Sequence, residues 1–361
     1  MVESIKGDIE KRFERNQDGG TAYDIKESKN AEDSQVESAM YVGDKPWWAI
    51  RDSAFAARGV ELPDLATAEE AIVAAGLDWE VKMCPVFAQN KKGHFTKIPD
   101  KYAVTRESDD QVFNVLGRYY VPVQNRDAFK FFDGVAGTGK AKYETAGSLK
   151  GGAYIWIMAR LDEPIYILGE EKERIDRYVT LMNCHSGYAA LQMFHHPFRT
   201  VCWNTLRAAQ GIGADKFYTR HTSGVMDRIE AASEILGIAD KFYSEFQEQA
   251  EFLARKALPA AEMPKLLMAA FGTTGAEKLE DVYAPVFRDM KKVEELVEVG
   301  AGLDNPKIRG TAWAAYNAIA QYTDHVREYR GKDPTDARLN GVWLGGGAQI
   351  KERAFGYLMK S

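Results

Sequence analysis

The sequence predicts an α+β protein, with an antiparallel sheet core that contains a strand-strand-strand-helix unit and a helical C-terminal region after it. Three observations lead there. Apolar residues alternate at the strand period of two through much of residues 79–199. A helix-like stretch at 125–136 interrupts those strands after the third run. From Thr222 onward apolar residues instead recur three and four positions apart over many turns, the period of an amphipathic helix.

Residues 1–40 are polar and nearly free of large apolar side chains after Phe13. They cannot bury enough surface to offset ordering entropy, so a flexible N-terminal arm is expected there. An α+β core domain is expected over 41–221, beginning near Tyr41, Trp47 and Trp48. Residues 67–75, TAEEAIVAA, read as a short helix opened by a capping box of Thr67 and Glu70 and ended by Gly76. The strand WEVKMCPVF is broken by Pro85, which marks an edge or a bulge. KYAVTRES and QVFNVLGRYYVPV follow across a turn at 108–110. Asn125 is placed as the cap of the helix RDAFKFFDGVAG, with Phe129 and Phe132 on one face. Strands then resume as AKYETAGSL, GAYIWIMARL, PIYILG, RYVTLMNCHS and AALQMFHHPFRTVC, with a helix expected from about Asn204. Residues 222–361 read as mainly helical. The expected helices are a long one divided at Gly237, another at 281–300 after an irregular connection, and a third at 311–330. A glycine-rich segment, Gly345 to Gly347, precedes a basic helix.

Composition bounds the function. The 361 residues are 45% apolar and 28% charged, ordinary for a soluble globular protein, and exceed the size at which one core stops growing. No uninterrupted apolar run approaches about 18 residues, so no membrane span is expected. The N-terminal stretch lacks the apolar segment of a signal peptide. Cys84, Cys184 and Cys202 form no C-x-x-C pair, a pattern that suits a reducing cytoplasm better than a disulfide framework. The net charge of −6 opposes polyanion binding overall. Residues 111–220 nevertheless hold 14 Lys and Arg against 10 Asp and Glu, and residues 301–361 hold 9 against 6. Local patches outweigh the total, because charges are largely screened beyond roughly 8 Å.

Arg118, Tyr119, Tyr120, Arg126, Lys140, Lys142, Lys150 and Arg160 are the candidates for holding an unpaired nucleic-acid strand. Cations hold phosphates, aromatic faces stack bases, and the glycine pairs nearby let a backbone approach another surface closely. An ordinary sheet, with aromatics inward and cations outward, accounts for the same pattern. A second polar group, Asn183, His185, Arg199, Asn204 and His221, is the candidate for a catalytic pocket. His195 and His196 are adjacent, so a strand points them to opposite faces, and no carboxylate lies in their tract. No metal and no cofactor are expected. Gly345 to Gly347 lacks the spacing of a Walker loop, so close packing or a hinge is preferred there to a phosphate cradle.

The segments YVGDKPWW, LDWEVKMCPVF, VLGRYYVPVQNRDAFKFFD, YETAGSLKGGAYIWIMARL, FRTVCWNTL, GTAWAAYNA and WLGGGAQIKERA occur here in order, together with the N-x-H of Asn183 and His185 and the RHT of Arg220 to Thr222. In these the chain resembles a phage/plasmid-like protein family that carries a large domain of unknown function. The resemblance implies a setting of DNA replication, recombination or host takeover. The strand-strand-strand-helix order also resembles, by topology, the core of single-strand-annealing recombinases. The leading expectation is a single-stranded-DNA-binding protein of phage or plasmid type that promotes annealing without ATP, working as a homo-oligomeric ring or filament in a bacterial cytoplasm. One alternative is an enzyme, a hydrolase or nucleotide-modifying protein, using the polar group around His185. Another is an interaction protein that binds a host or phage partner.

Overall fold

The computed structural model describes residues 41–42, 45–46, 60–61 and 67–361, apart from 137–140, 200–203, 207–216, 231–234, 274, 276–280, 301 and 332–333. The expected arm at 1–40, Trp47, Trp48, Lys140 and Cys202 lie outside the described residues. Strands β1 (Tyr41–Val42) and β2 (Lys45–Pro46) pair with each other, and β3 (Val60–Glu61) joins the edge of a larger sheet.

Helix α1 (Ala68–Ala74) opens on the expected capping box. The Thr67 hydroxyl accepts from the Glu70 N–H at 3.2 Å, and the Glu70 carboxylate accepts from the Thr67 N–H at 2.8 Å. Such reciprocal caps contribute on the order of 1 kcal/mol. β4 (Val81–Gln89), β5 (Phe95–Arg106) and β6 (Val112–Gly117) form a three-stranded antiparallel sheet in that order, with a register shift between Pro85 and Phe87 on the edge strand. Helix α2 (Asn125–Ala136) follows and buries Ala128 and Phe129. The strand-strand-strand-helix unit is therefore present.

The larger sheet is also antiparallel. It comprises β7 (Ala141–Leu149), β8 (Tyr154–Tyr166), β9 (Arg174–Cys184), β10 (Leu191–Arg199), β11 (Asn204–Thr205) and β12 (Phe217–Thr219), ordered β11-β10-β9-β8-β7-β3 with β12 also on β10. The helix expected from Asn204 is instead strand β11, where Asn204 and Thr205 pair with Arg199 and Phe198. Local propensity at 204–205 yields there to an open edge of the sheet.

The helical region contains α3 (Val225–Glu230), α4 (Ile235–Arg255), α5 (Met263–Phe271), α6 (Ala284–Val299), α7 (Ala312–Gln321), α8 (Pro334–Trp343) and α9 (Gly346–Lys360). Gly237 does not divide a helix but lies within α4. A helical glycine costs about 1 kcal/mol relative to alanine, and the buried stripe Ala239, Tyr243, Phe246, Ala250 and Leu253 outweighs it. The connection read as irregular holds α5, which has proline in its first turn and the left-handed Gly272 as its cap. The helix expected over 311–330 ends earlier. After α7 the turn widens at Tyr322–Val326, where Asp324 meets Lys351 of α9 at 2.7 Å with both side chains fully buried.

Burial on both faces explains why β8 is so apolar. Ile155, Ile157 and Ala159 pack with α1, α2 and α4, while Trp156 and Met158 face Leu339, Val342 and Trp343 of α8. A third core surrounds α7, every residue of which is buried. The larger sheet and this core are joined through Glu173 beside β9. Its carboxylate accepts from Arg199 Nε at 2.8 Å and Nη2 at 2.6 Å, from Asn305 Nδ2 at 3.0 Å and from Trp313 Nε1 at 3.0 Å.

Candidate functional site

Three loops meet where the small sheet abuts the large one. The first leaves β6 at Gly117 and carries Tyr119 and Tyr120. It then runs beside the third loop, with the Val121 N–H donating to the His221 carbonyl at 2.9 Å. The second is the β9–β10 turn. It is tied down by the His185 N–H donating to the Ala153 carbonyl at 2.8 Å and by Asn114 Nδ2 donating to the Ser186 carbonyl at 2.7 Å. Gly187 in that turn has φ +72, a left-handed conformation that favours glycine, and a Cβ there would sit 2.7 Å from Leu116 Cδ1, so glycine lets the turn close against β6 without strain. The third loop, 220–224, follows β12. Together they enclose a cleft of about 580 Å³ lined by Leu116, Tyr120, Ala190 and His221, among others. That volume is in the range of small-ligand sites.

Three tyrosines rim the cleft with their rings in solvent: Tyr119, Tyr188 and Tyr218 are 71%, 80% and 68% exposed. Arg118 lies beside the rim. Its guanidinium sits 4.8 Å from the Tyr119 ring centre, donates to the Tyr119 hydroxyl at 2.7 Å and pairs with the exposed Asp100 carboxylate at 3.3 Å. The exposed Arg220 lines the cleft from the opposite loop. At the floor, the Tyr120 ring stacks on His221 with centres 5.0 Å apart, and its hydroxyl is shared between the Cys184 and His185 carbonyls.

His221 is 5% exposed, and both of its ring nitrogens are shut off from solvent. Burial pushes its pKa down to about 4, and the nearby Val121 main chain opposes that shift only in part. The ring is therefore neutral at physiological pH, with one donor and one acceptor.

His185 stands behind this floor rather than in the cleft. Its Nε2 donates to Asn125 Oδ1 at 2.8 Å, and Asn125 Nδ2 donates to the Leu77 carbonyl at 2.8 Å. Asn125 is thus turned inward and does not cap α2 with its side chain. Phe113 stacks on the His185 ring at 5.7 Å and Trp79 meets it edge-on at 5.3 Å. Burial, then the proximity of His221, lowers its pKa to about 3. Asn183 Nδ2 donates to the Val123 carbonyl at 3.0 Å. Asn183 and His185 hold segment 121–125 against β9, a positioning role.

The predicted polar group therefore divides. Asn183, His185 and His221 gather near the cleft, whereas Arg199 is buried on Glu173 at the far end of β10, and Asn204 stands opposite it in register on β11. The predicted strand-binding residues divide as well. Arg118, Tyr119 and Tyr120 belong to the cleft. Arg126 is ion-paired with Glu69 across α1 and α2, and Lys142 faces Arg160 in register between β7 and β8. Lys150 lies at the β7–β8 turn, 4.7 Å over the Tyr154 ring. The close approach expected of the glycine pair is internal. A Cβ on Gly151 would meet Gln111 at 2.8 Å, and one on Gly152 would meet Arg106 at 2.8 Å. Tyr188, Tyr218 and Arg220 are cleft residues that sequence reasoning missed. The available signal was a tyrosine following the turn glycine, SGY, and the alternation in FYTR.

His195 and His196 point to opposite faces of the sheet, with His195 stacked on Phe242 at 4.8 Å and His196 tilted against Trp343 at 5.4 Å. Among the described residues no three His, Cys, Asp or Glu side chains gather as a metal site. No described helix is long and apolar enough to cross a membrane. Gly341 and Gly347 lie directly against Tyr329, so the glycine-rich segment serves close packing.

The described residues thus form an α+β fold with a tyrosine-rimmed cleft that Arg220 lines. Residues 112–343 match the model of a domain of unknown function, DUF932, and the chain belongs to that family. The matched span contains every residue lining the cleft. No curated protein and no solved structure matches the chain.

Proposed function

We propose that the protein binds single-stranded DNA, seating unpaired bases in the tyrosine-rimmed cleft. The observation that carries this reading is the exposure of Tyr119, Tyr188 and Tyr218 around one cleft, with Arg220 in its lining and Arg118 against the Tyr119 ring. Exposed aromatic faces supply base stacking worth about 1–3 kcal/mol each, and the guanidinium groups supply phosphate contacts. A cleft of about 580 Å³ takes one or two nucleotides, so engaging a longer strand needs several copies side by side. That favours a homo-oligomer that aligns an open strand for annealing without ATP, and the resemblance to phage- and plasmid-borne proteins favours recombination or replication as the setting. An enzymatic reading needs a carboxylate or other general base beside His221, and the described cleft lining holds none.

The test is fluorescence anisotropy of a labelled single-stranded oligonucleotide over a salt series, with the matching duplex as comparison. Single-strand binding that weakens with salt, and weaker duplex binding, is expected. Equal affinity for both forms, or no binding at low salt, would overturn the reading.

A further inference from the structure

We propose that the β4–β5 hairpin is a second contact element for the strand, carrying it outward from the cleft on Phe87 and Phe95, with Lys91, Lys92 and Lys97 on its phosphates. The inference rests on the single-strand reading and extends the path beyond the cleft. Every residue from Phe87 to Lys97 is exposed, so this end of the hairpin projects from the body of the protein. Its make-up is unlike that of the whole chain. Residues 87–97 hold three lysines and no carboxylate, in a protein of net charge −6. Among the described residues none of the three lysines forms an ion pair. Phe87 and Phe95 stand beside them, 51% and 69% exposed. Lysines alone on a hairpin would discourage pairing with another copy. Two rings left in water add apolar surface instead, which suits a polyanion with faces to stack.

The turn and the pairing fix where these groups lie. Asn90 Oδ1 accepts from the Lys92 N–H at 2.9 Å and the His94 N–H at 3.0 Å, and Gly93 takes φ +85, so Lys91 and Lys92 sit at the tip. Phe87 stands opposite Lys97 and Gln89 opposite Phe95. Residues directly opposite, and residues two apart on one strand, share a face, so Phe87, Phe95 and Lys97 lie on the same side. Lys97 reaches back over the Tyr102 ring, 5.9 Å from its centre, which puts Tyr102 on that side too. Tyr102 is paired in register with Leu116 of β6, and Leu116 lines the cleft. Asp100, between Lys97 and Tyr102, pairs with Arg118 at the cleft rim at 3.3 Å. One face therefore leads from the cleft through Tyr102 and Lys97 to the two phenylalanines. Phe95 precedes Tyr102 by seven residues on β5, up to about 23 Å of strand, so each copy holds more of the ligand than the cleft alone.

Anisotropy titration of a labelled thymidine 12-mer over a salt series reads both contributions. Lys91→Ala, Lys92→Ala and Lys97→Ala together should lower the slope of log K against log salt by about two, at roughly 0.7 for each lost phosphate contact. Arginine at the same three positions should keep the slope. Phe87→Ser with Phe95→Ser should weaken binding by about tenfold or more, and Phe95→Tyr, which keeps a stacking face, should not. These side chains are exposed, so the variants should melt with the wild type. An unchanged slope in the lysine-to-alanine variant, or an unchanged affinity in the double phenylalanine variant, overturns the hairpin's role while leaving strand binding at the cleft intact. Failure of wild-type protein to bind the 12-mer at low salt defeats the single-strand reading itself.

Discussion

Tyr120 and His221 come from segments a hundred residues apart, yet their rings lie stacked, 5.0 Å between centres and 22° between planes. The pair closes the floor of the cleft, and three solvent-facing tyrosines stand above it. Stacking surface below and above, with guanidinium groups to the side, sets what each substitution should do.

Alanine in place of Tyr119, Tyr188 or Tyr218 should weaken single-strand binding by about 1–3 kcal/mol for each ring that stacks a base. The protein's melting temperature should stay nearly constant, since these rings are exposed. Anisotropy titration and thermal melting together check this, and an unchanged affinity in all three variants would remove the cleft as the binding site.

Replacing Arg118 and Arg220 together by alanine should lower the slope of log K against log salt by about one to two. Arg126→Ala should leave the slope unchanged, because Arg126 sits on α2 and does not line the cleft. A larger slope change from Arg126 than from the cleft pair would relocate the phosphate path.

Arg199→Met should cost about 3–5 kcal/mol, because it leaves the Glu173 carboxylate buried with neutral partners only. The double variant Glu173→Gln with Arg199→Met should recover part of the loss. Urea denaturation followed by circular dichroism measures both, and a single variant as stable as the parent would contradict the burial of this pair.

Acid should weaken the fold before the carboxylates titrate. Burial holds His185 near pKa 3 and His195 and His221 near 4, against 6.5 for a free imidazole. The unfolded chain takes up protons as pH falls through 6.5, while the folded chain does not until 4 or below. Stability is therefore full above 6.5 and declines below it, by up to about 1.4 kcal/mol per pH unit for each ring. Urea midpoints between pH 7.5 and 4.5 should fall, and less steeply in His195→Asn. A flat profile would show that these rings are not buried neutral.

Much of the α+β order was legible because the signals are local. Thr67 and Glu70 announce a capping box in four residues, and Pro85 announces a bulge in one. Asn204 and Gly237 were misread because tertiary context decided them: an open edge on β10 in one case, a long buried stripe in the other. The site was legible in part. Arg118, Tyr119 and Tyr120 were named from the mixture of aromatic and basic residues, but Tyr188, in the β9–β10 turn, and Tyr218, on β12, lie on separate segments that only folding brings together. Arg199 and His185 carry similar sequence signals, yet one neutralises a buried carboxylate and the other braces a loop. The difference lies in which partners arrive from distant segments, and short-range spacing carries no record of them.

The carboxylate of Glu173 also has a temporal consequence. One of its partners, the Trp313 indole, lies 140 residues further along the chain. At synthesis rates of about 5–20 residues per second, a nascent chain carries that acidic group without its full set of donors for on the order of ten seconds. Until then the newly made strands keep a water-seeking charge at their border. The donors that complete its pairing, Asn305 and Trp313, are made only with the later, helical part of the chain.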